Sequence, residues 1–150
     1  MDKKIILLVE DDPDYEALTL RALKANHVSN RVVVVRDGVE ALDYLWARGK
    51  HAHRDPEETP MLILLDLKLP KMDGLEVLRR IKADEQTGII PVVILTSSKE
   101  EQDLVNGYKL GANSYIRKPV NFTRFAEAIK QLGLYWLVLN EPPPSLGNKL

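Results

Sequence analysis

A chain of 150 residues, 45 % apolar and 29 % charged, has the make-up of one globular domain large enough to bury a core. Its 21 basic and 22 acidic residues leave a net charge of −1, so no broad electrostatic case exists for nucleic acid or an anionic membrane. There is no cysteine, which excludes disulfides, thiolate zinc sites and cysteine nucleophiles. The apolar run near the N-terminus is too short for a signal peptide or a membrane span, and a cytoplasmic protein is expected.

In chain order, Ile5–Val9 is a wholly apolar run that ends in the acids Glu10, Asp11 and Asp12. Asp12 suits an N-cap and Pro13 the first helical position. Tyr15, Leu18, Ala22 and Leu23 then recur at helical spacing up to about Asn26. Arg31–Val35 is a β-branched second strand, and Asp37-Gly38 turns into a helix with an apolar stripe of Val39, Leu42, Leu45 and Trp46. The stretch from Gly49 to Pro60 has no periodicity and reads as a long surface loop, with His51 and His53 solvated.

The organising stretch is Met61–Gly74, MLILLDLKLPKMDG. Its five leading apolar residues have the pattern of a strand covered on both faces, and Asp66 follows at the rim of the sheet, half out of the core. Asp73 and Glu76 have capping-box spacing at the start of a helix carrying Leu75, Leu78 and Ile81, with Gly88 as its stop. Pro91–Leu95 is a fourth strand ending in Thr96, Ser97 and Ser98; Ser98 and Glu101 open a helix that runs to Gly111. Ser114–Arg117 is a short fifth strand before Lys118-Pro119, a candidate cis peptide that would aim the lysine inward. Asn121 caps a last helix with Phe122, Phe125, Ala126, Ile129 and Leu132 on one face. Short apolar strands alternating with amphipathic helices define an α/β domain with one open parallel sheet covered on both sides.

In such a sheet the strand ends share one crevice, which would gather Glu10, Asp11, Asp66, Thr96 and Lys118. Three carboxylates in one place repel one another unless a cation neutralises them, and an oxygen-only cluster suits Mg²⁺. A hydroxyl and an ammonium beside them are equipment for holding phosphoryl oxygens, so the chemistry suggested is an aspartyl phosphate on Asp66.

The motifs VEDDP, LLDLKLPKMDG, VVILTSS and YIRKP, in that order, resemble the receiver domain of two-component response regulators over residues 3–133. The resemblance implies a flavodoxin-like (βα)5 fold, a doubly wound sheet of strand order 2-1-3-4-5. It implies phosphoryl transfer from the phosphohistidine of a histidine kinase to Asp66. Glu10, Asp11, Asp66 and the Lys68 backbone carbonyl would hold Mg²⁺. Thr96 and Lys118 would contact the phosphoryl group, helped by backbone N–H groups of Leu67, Lys68 and Ser97. Tyr115 would be the aromatic that turns inward when Thr96 moves. As a receiver, the protein is expected to signal rather than to act as an enzyme on other substrates.

Residues 134–150 are read as a helix end and a proline-rich tail beyond the receiver domain at 1–133, with no output domain. Leu134–Leu139 is apolar nearly all round, so Tyr135, Trp136, Leu137 and Leu139, with Phe125 and Ile129, are candidates for a homodimer interface. The long loop and apolar end resemble regulators paired with phytochrome histidine kinases, which makes such a kinase the expected partner. Alternatives are a relay intermediate or a small aspartyl-phosphate phosphatase. The phosphatase would need an aspartate where Lys68 stands.

Overall fold

The computed structural model describes residues 5–26, 28, 30–96, 106–112, 114–117, 123, 127, 130 and 131. Five parallel strands, β1 (Ile5–Val9), β2 (Arg31–Val35), β3 (Leu62–Leu65), β4 (Val92–Thr96) and β5 (Ser114–Arg117), form one sheet in the order β2-β1-β3-β4-β5. Helices α1 (Pro13–Ala25), α2 (Gly38–Leu45) and α3 (Gly74–Ala83) cross between them. This is the expected doubly wound fold and strand order.

The continuous apolar runs follow from burial on both faces. Leu7, Val9, Ile63, Leu65, Val92 and Ile94 pack with Ala41, Leu42 and Leu45 of α2 and Val77, Leu78 and Ile81 of α3. Their neighbours Ile6, Leu8, Leu62, Leu64, Val93 and Leu95 point to the opposite face and meet Ala22 and Leu23 of α1. Period-two alternation therefore feeds two cores from one strand, and no polar residue is tolerated inside these runs.

The two ends of α3 differ from the sequence reading, and so does the apolar stripe of α2. Asp12 caps α1 as expected, accepting from the N–H groups of Asp14 and Tyr15 at 2.9 and 3.4 Å. Asp73 occupies the N-cap of α3 but makes no side-chain cap bond, and Glu76 turns outward to Arg79 and Arg80, so the expected capping box does not form. The helix stops at Ala83, before Gly88, because the Asp84 carboxylate accepts the N–H groups of Gln86 and Thr87 and folds the chain into a turn. On α2, Leu42 and Leu45 are buried while Val39 is exposed, which narrows the apolar stripe.

The segment from Gly49 to Pro60 is tied down. It begins with a 3-10 turn, Gly49–His51. Arg54 lies 3.8 Å over the ring of Tyr44 and donates to the Tyr44 and Glu58 carbonyls. Gln86 reaches across to the carbonyl of Pro56. His53 is exposed as expected, but His51 is not: it packs edge-on against Tyr44 and its Nε2 lies 3.1 Å from Glu40 Oε2.

Glu40 is the hub of this corner. Burial by itself raises its carboxyl, and hydrogen bonds from Lys50, the Arg36 N–H and His51 outweigh burial, holding the pKa at about 2 against an ordinary 4.5. The folded-state value lies below the unfolded one, so this stabilisation is whole above pH 4.5 and fades as pH falls toward 2. Replacing Glu40 by Gln should lower stability at neutral pH by about 1–2 kcal/mol. Urea unfolding of the two proteins should converge on acidification through that window.

The Ser98–Glu101 helix start, the Lys118-Pro119 bond and the residues from Leu132 onward lie outside the described residues, as do Phe125 and Ile129. Residues 106–109 are helical, and Thr123, Glu127, Lys130 and Gln131 are helical and exposed.

Candidate phosphoryl-accepting site

The ladder hydrogen bonds of β1 continue one residue past its end. Glu10 N–H donates to the Val35 carbonyl and Asp66 N–H to the Val9 carbonyl, both at 3.0 Å. Register pairs Val9 with Leu65 on one side and with Val35 on the other, so the residues that follow β1 and β3 emerge side by side. The β1–β3 seam is also where the chain order of the sheet reverses, the usual place for a ligand crevice in an open α/β sheet.

Three carboxylates meet there. Glu10, Asp11 and Asp66 each offer an oxygen, and the three oxygens lie within 4.8 Å of one another. Glu10 is 1 % exposed and Asp66 5 %, while Asp11 is open to solvent. Asp66 is thus more deeply set than the sequence suggests, because α3 and the loop before it close over the end of β3. Glu10 Oε2 accepts the Asp12 N–H and Asp66 Oδ1 the Lys68 N–H, each at 3.3 Å. These bonds orient both acids from their own following turns. An all-oxygen set of three acids with one face open fits a hard divalent cation that keeps part of its water.

The loop between β3 and α3 is packed without slack. Gly74 N–H donates to the Leu67 carbonyl at 2.9 Å, and a Cβ on Gly74 would stand 2.4 Å from the Asp66 carbonyl oxygen and 2.5 Å from Leu67 Cα. Against the first turn of α2, the Gly38 N–H points at the Pro70 carbonyl at 3.4 Å and Lys71 Nζ lies 3.5 Å from Asp37 Oδ2. Lys71 adopts φ of +67°, a left-handed position inside this loop.

Of the residues expected at the site, Glu10, Asp11 and Asp66 come together, and Leu67 and Lys68 lie in the loop directly after Asp66. Leu67 is 1 % exposed and its side chain belongs to the α2–α3 core. Thr96 ends β4 with its backbone opposite Arg117, and Tyr115 lies in β5 opposite Ile94; their side chains lie outside the described residues, as do Ser97 and Lys118 entirely. The packing role of Gly38 is not visible in the sequence, where Asp37-Gly38 reads only as a turn into a helix.

An open parallel sheet with an acidic trio at its reversal point has a set of oxygens that could hold a cation. A model of the response regulator receiver domain matches residues 6–130, and the chain belongs to that family. Its relatives include the probable methanogenesis regulatory protein FilR2 of Methanothrix harundinacea, 40 % identical over 95 % of this chain and 89 % of that protein. The phosphorylated cyanobacterial phytochrome response regulator RcpA superposes with a TM-score of 0.87 at 42 % identity, covering 95 % of this chain and 99 % of that one. For the bacteriophytochrome response regulator RtBRR the TM-score is 0.77 at 56 % identity, with 96 % and 86 % covered. Response regulator Rcp1, 36 % identical with a TM-score of 0.86 over 94 % of this chain and 99 % of that one, is known in a Mn²⁺-bound form. This chain is therefore a receiver domain closely related to phytochrome response regulators, and phosphoryl acceptance is the general function of such domains.

Because the Gly74 cradle is formed by backbone atoms, it cannot yield by a rotamer change. Gly74→Ala should lower stability by about 1–3 kcal/mol, measured as a reduced urea midpoint with an unchanged slope.

Proposed function

We propose that Asp66 accepts the phosphoryl group of a phosphohistidine on a sensor histidine kinase of the phytochrome class, with Mg²⁺ held by Glu10, Asp11, Asp66 and the Lys68 carbonyl. The observation that carries this reading is the convergence of the three carboxylates at the β1–β3 seam. The kinase assignment draws on the likeness to RcpA, a cyanobacterial phytochrome response regulator, and RtBRR, a bacteriophytochrome response regulator.

An Asp66 carboxylate oxygen attacks phosphorus; the new P–O bond forms as the P–N bond to the kinase imidazole breaks, and the imidazole departs with that electron pair. Bound Mg²⁺ supplies neutralising charge for the phosphoryl oxygens. Glu10 is held by the Asp12 N–H, so it stays beside Asp66 without capping α1, which is the task of Asp12. The Lys68 N–H on Asp66 Oδ1 fixes the carboxylate plane. Thr96, Lys118 and the N–H groups of Leu67, Lys68 and Ser97 are assigned to the bound phosphoryl oxygens. Tyr115 is assigned to the switch that follows when Thr96 is drawn in.

The added charge of about −1.5 to −2 biases two packings of the same fold, and the last strand with its flanking helices, about residues 100–132, is where the altered surface would form. The protein signals from the cytoplasm and catalyses only its own phosphorylation and hydrolysis. It works without nucleic acid or membrane, as a homodimer through Phe125, Ile129, Tyr135, Trp136, Leu137 and Leu139.

Incubation with acetyl phosphate and Mg²⁺ should add one phosphoryl mass to the intact protein, and Asp66→Asn should abolish the addition. Labelling that survives the substitution removes Asp66 as acceptor. Transfer from a phosphorylated phytochrome kinase, but not from unrelated kinases at equal concentration, would identify the partner class. Removing residues from Leu134 onward should shift the protein toward monomer in light scattering, and an oligomer that persists refutes the terminal interface.

A further inference from the structure

Gly38 lies on a different element from the acidic trio and far from it in sequence, yet its surroundings lead directly to the acceptor loop. It is buried at the first position of α2. A Cβ there would stand 2.3 Å from the Met72 carbonyl oxygen, 2.7 Å from Met72 Cβ and 2.8 Å from Val77 Cγ2. Real Cβ atoms do not approach backbone oxygens so closely, so any side chain at this position must push α2 and the Met72 backbone apart. The Pro70–Met72 backbone is the far half of the short loop whose near half carries Asp66 and Lys68. The two halves are clamped together, because Gly74 N–H bonds the Leu67 carbonyl and Gly74 itself abuts the Asp66 carbonyl. A displacement at Met72 has little room to be absorbed before it reaches the site.

We infer that Gly38 is a positioning residue for the acceptor site: its missing side chain seats α2 against Pro70–Met72 and so sets where the Asp66 carboxylate and the Lys68 carbonyl face the cation. The inference rests on the reading of Asp66 as a phosphoryl acceptor with a bound cation. In its neighbourhood the Asp37–Lys71 pair adds little, since Lys71 is exposed, and the rigid contact is made by the glycine.

The test compares Gly38→Ala with the wild-type chain, reading Mn²⁺ affinity from the free-ion paramagnetic resonance signal and the rate of labelling by acetyl phosphate. Circular dichroism establishes that both are folded. Gly38→Ala should weaken Mn²⁺ binding and slow labelling, each by roughly tenfold, the scale seen when a ligand's supporting contact is lost. A second comparison separates positioning from stability. In a Met72→Gly/Val77→Ala background these two side-chain contacts are gone and the carbonyl contact remains. Adding Gly38→Ala there should cost less in thermal midpoint than it does in the wild-type chain and still weaken Mn²⁺ binding, because the 2.3 Å contact with the Met72 carbonyl persists.

A folded Gly38→Ala protein with wild-type Mn²⁺ affinity overturns the inference. So does affinity that recovers along with stability in the relieved background, and so does failure of the variant to fold in either background, which would make the glycine a residue of the fold as a whole. If the wild-type chain takes no label on Asp66 while Gly38→Ala still changes Mn²⁺ affinity, the acceptor reading fails and the positioning role stands.

Discussion

The structure depends on the backbone ladder between β1 and β3. The bond from Asp66 N–H to the Val9 carbonyl lies one step beyond the last paired residues, and it brings an acid from the middle of the chain beside the acids that follow the first strand. That rung is held by register, and register is held by burial. A slip of one residue would send Leu7, Val9, Ile63 and Leu65 to the wrong face of the sheet and exchange the two cores. Many small dispersion contacts in the cores thus fix the separation of a few oxygens at the rim.

Bringing those oxygens together opposes stability. Glu10 and Asp66 are almost fully removed from water, and burial of like-charged groups is unfavourable unless hydrogen bonds or a counter-ion answer it. The N–H groups of Asp12 and Lys68 answer part of it. A divalent cation would answer more of it, and the fold elsewhere is rich in contacts: both faces of every described central strand are covered, and buried Thr87 bonds the Ile81 carbonyl at 2.7 Å. The site is a place where local consistency yields to chemistry.

Strands and site acids were legible because both are written locally. A short, uninterrupted apolar run bounded by polar residues suits a doubly covered strand, and an acid placed directly after it inherits its position from the ladder. The features that were not legible depend on partners distant in sequence or on competing local bonds. Glu76 has the spacing of a capping box but finds two arginines on its own helix surface, and Asp84 ends α3 before Gly88 by claiming two N–H groups. His51 looks like any polar loop residue until α2 places Tyr44 and Glu40 against it. Gly38 reads as turn chemistry, and only the folded chain reveals the Met72 carbonyl occupying the space of its absent side chain.

The anchoring of Gly49–Pro60 has a consequence for how that edge of the molecule meets others. A free connection of such length would have to surrender its conformational freedom on each encounter, and that ordering would weaken any complex formed through it. Here the freedom is already surrendered during folding, to the Tyr44 ring under Arg54 and to the carboxylate of Glu40. The edge therefore presents a preset contour, and an insertion that resembles slack in the chain serves as rigid relief.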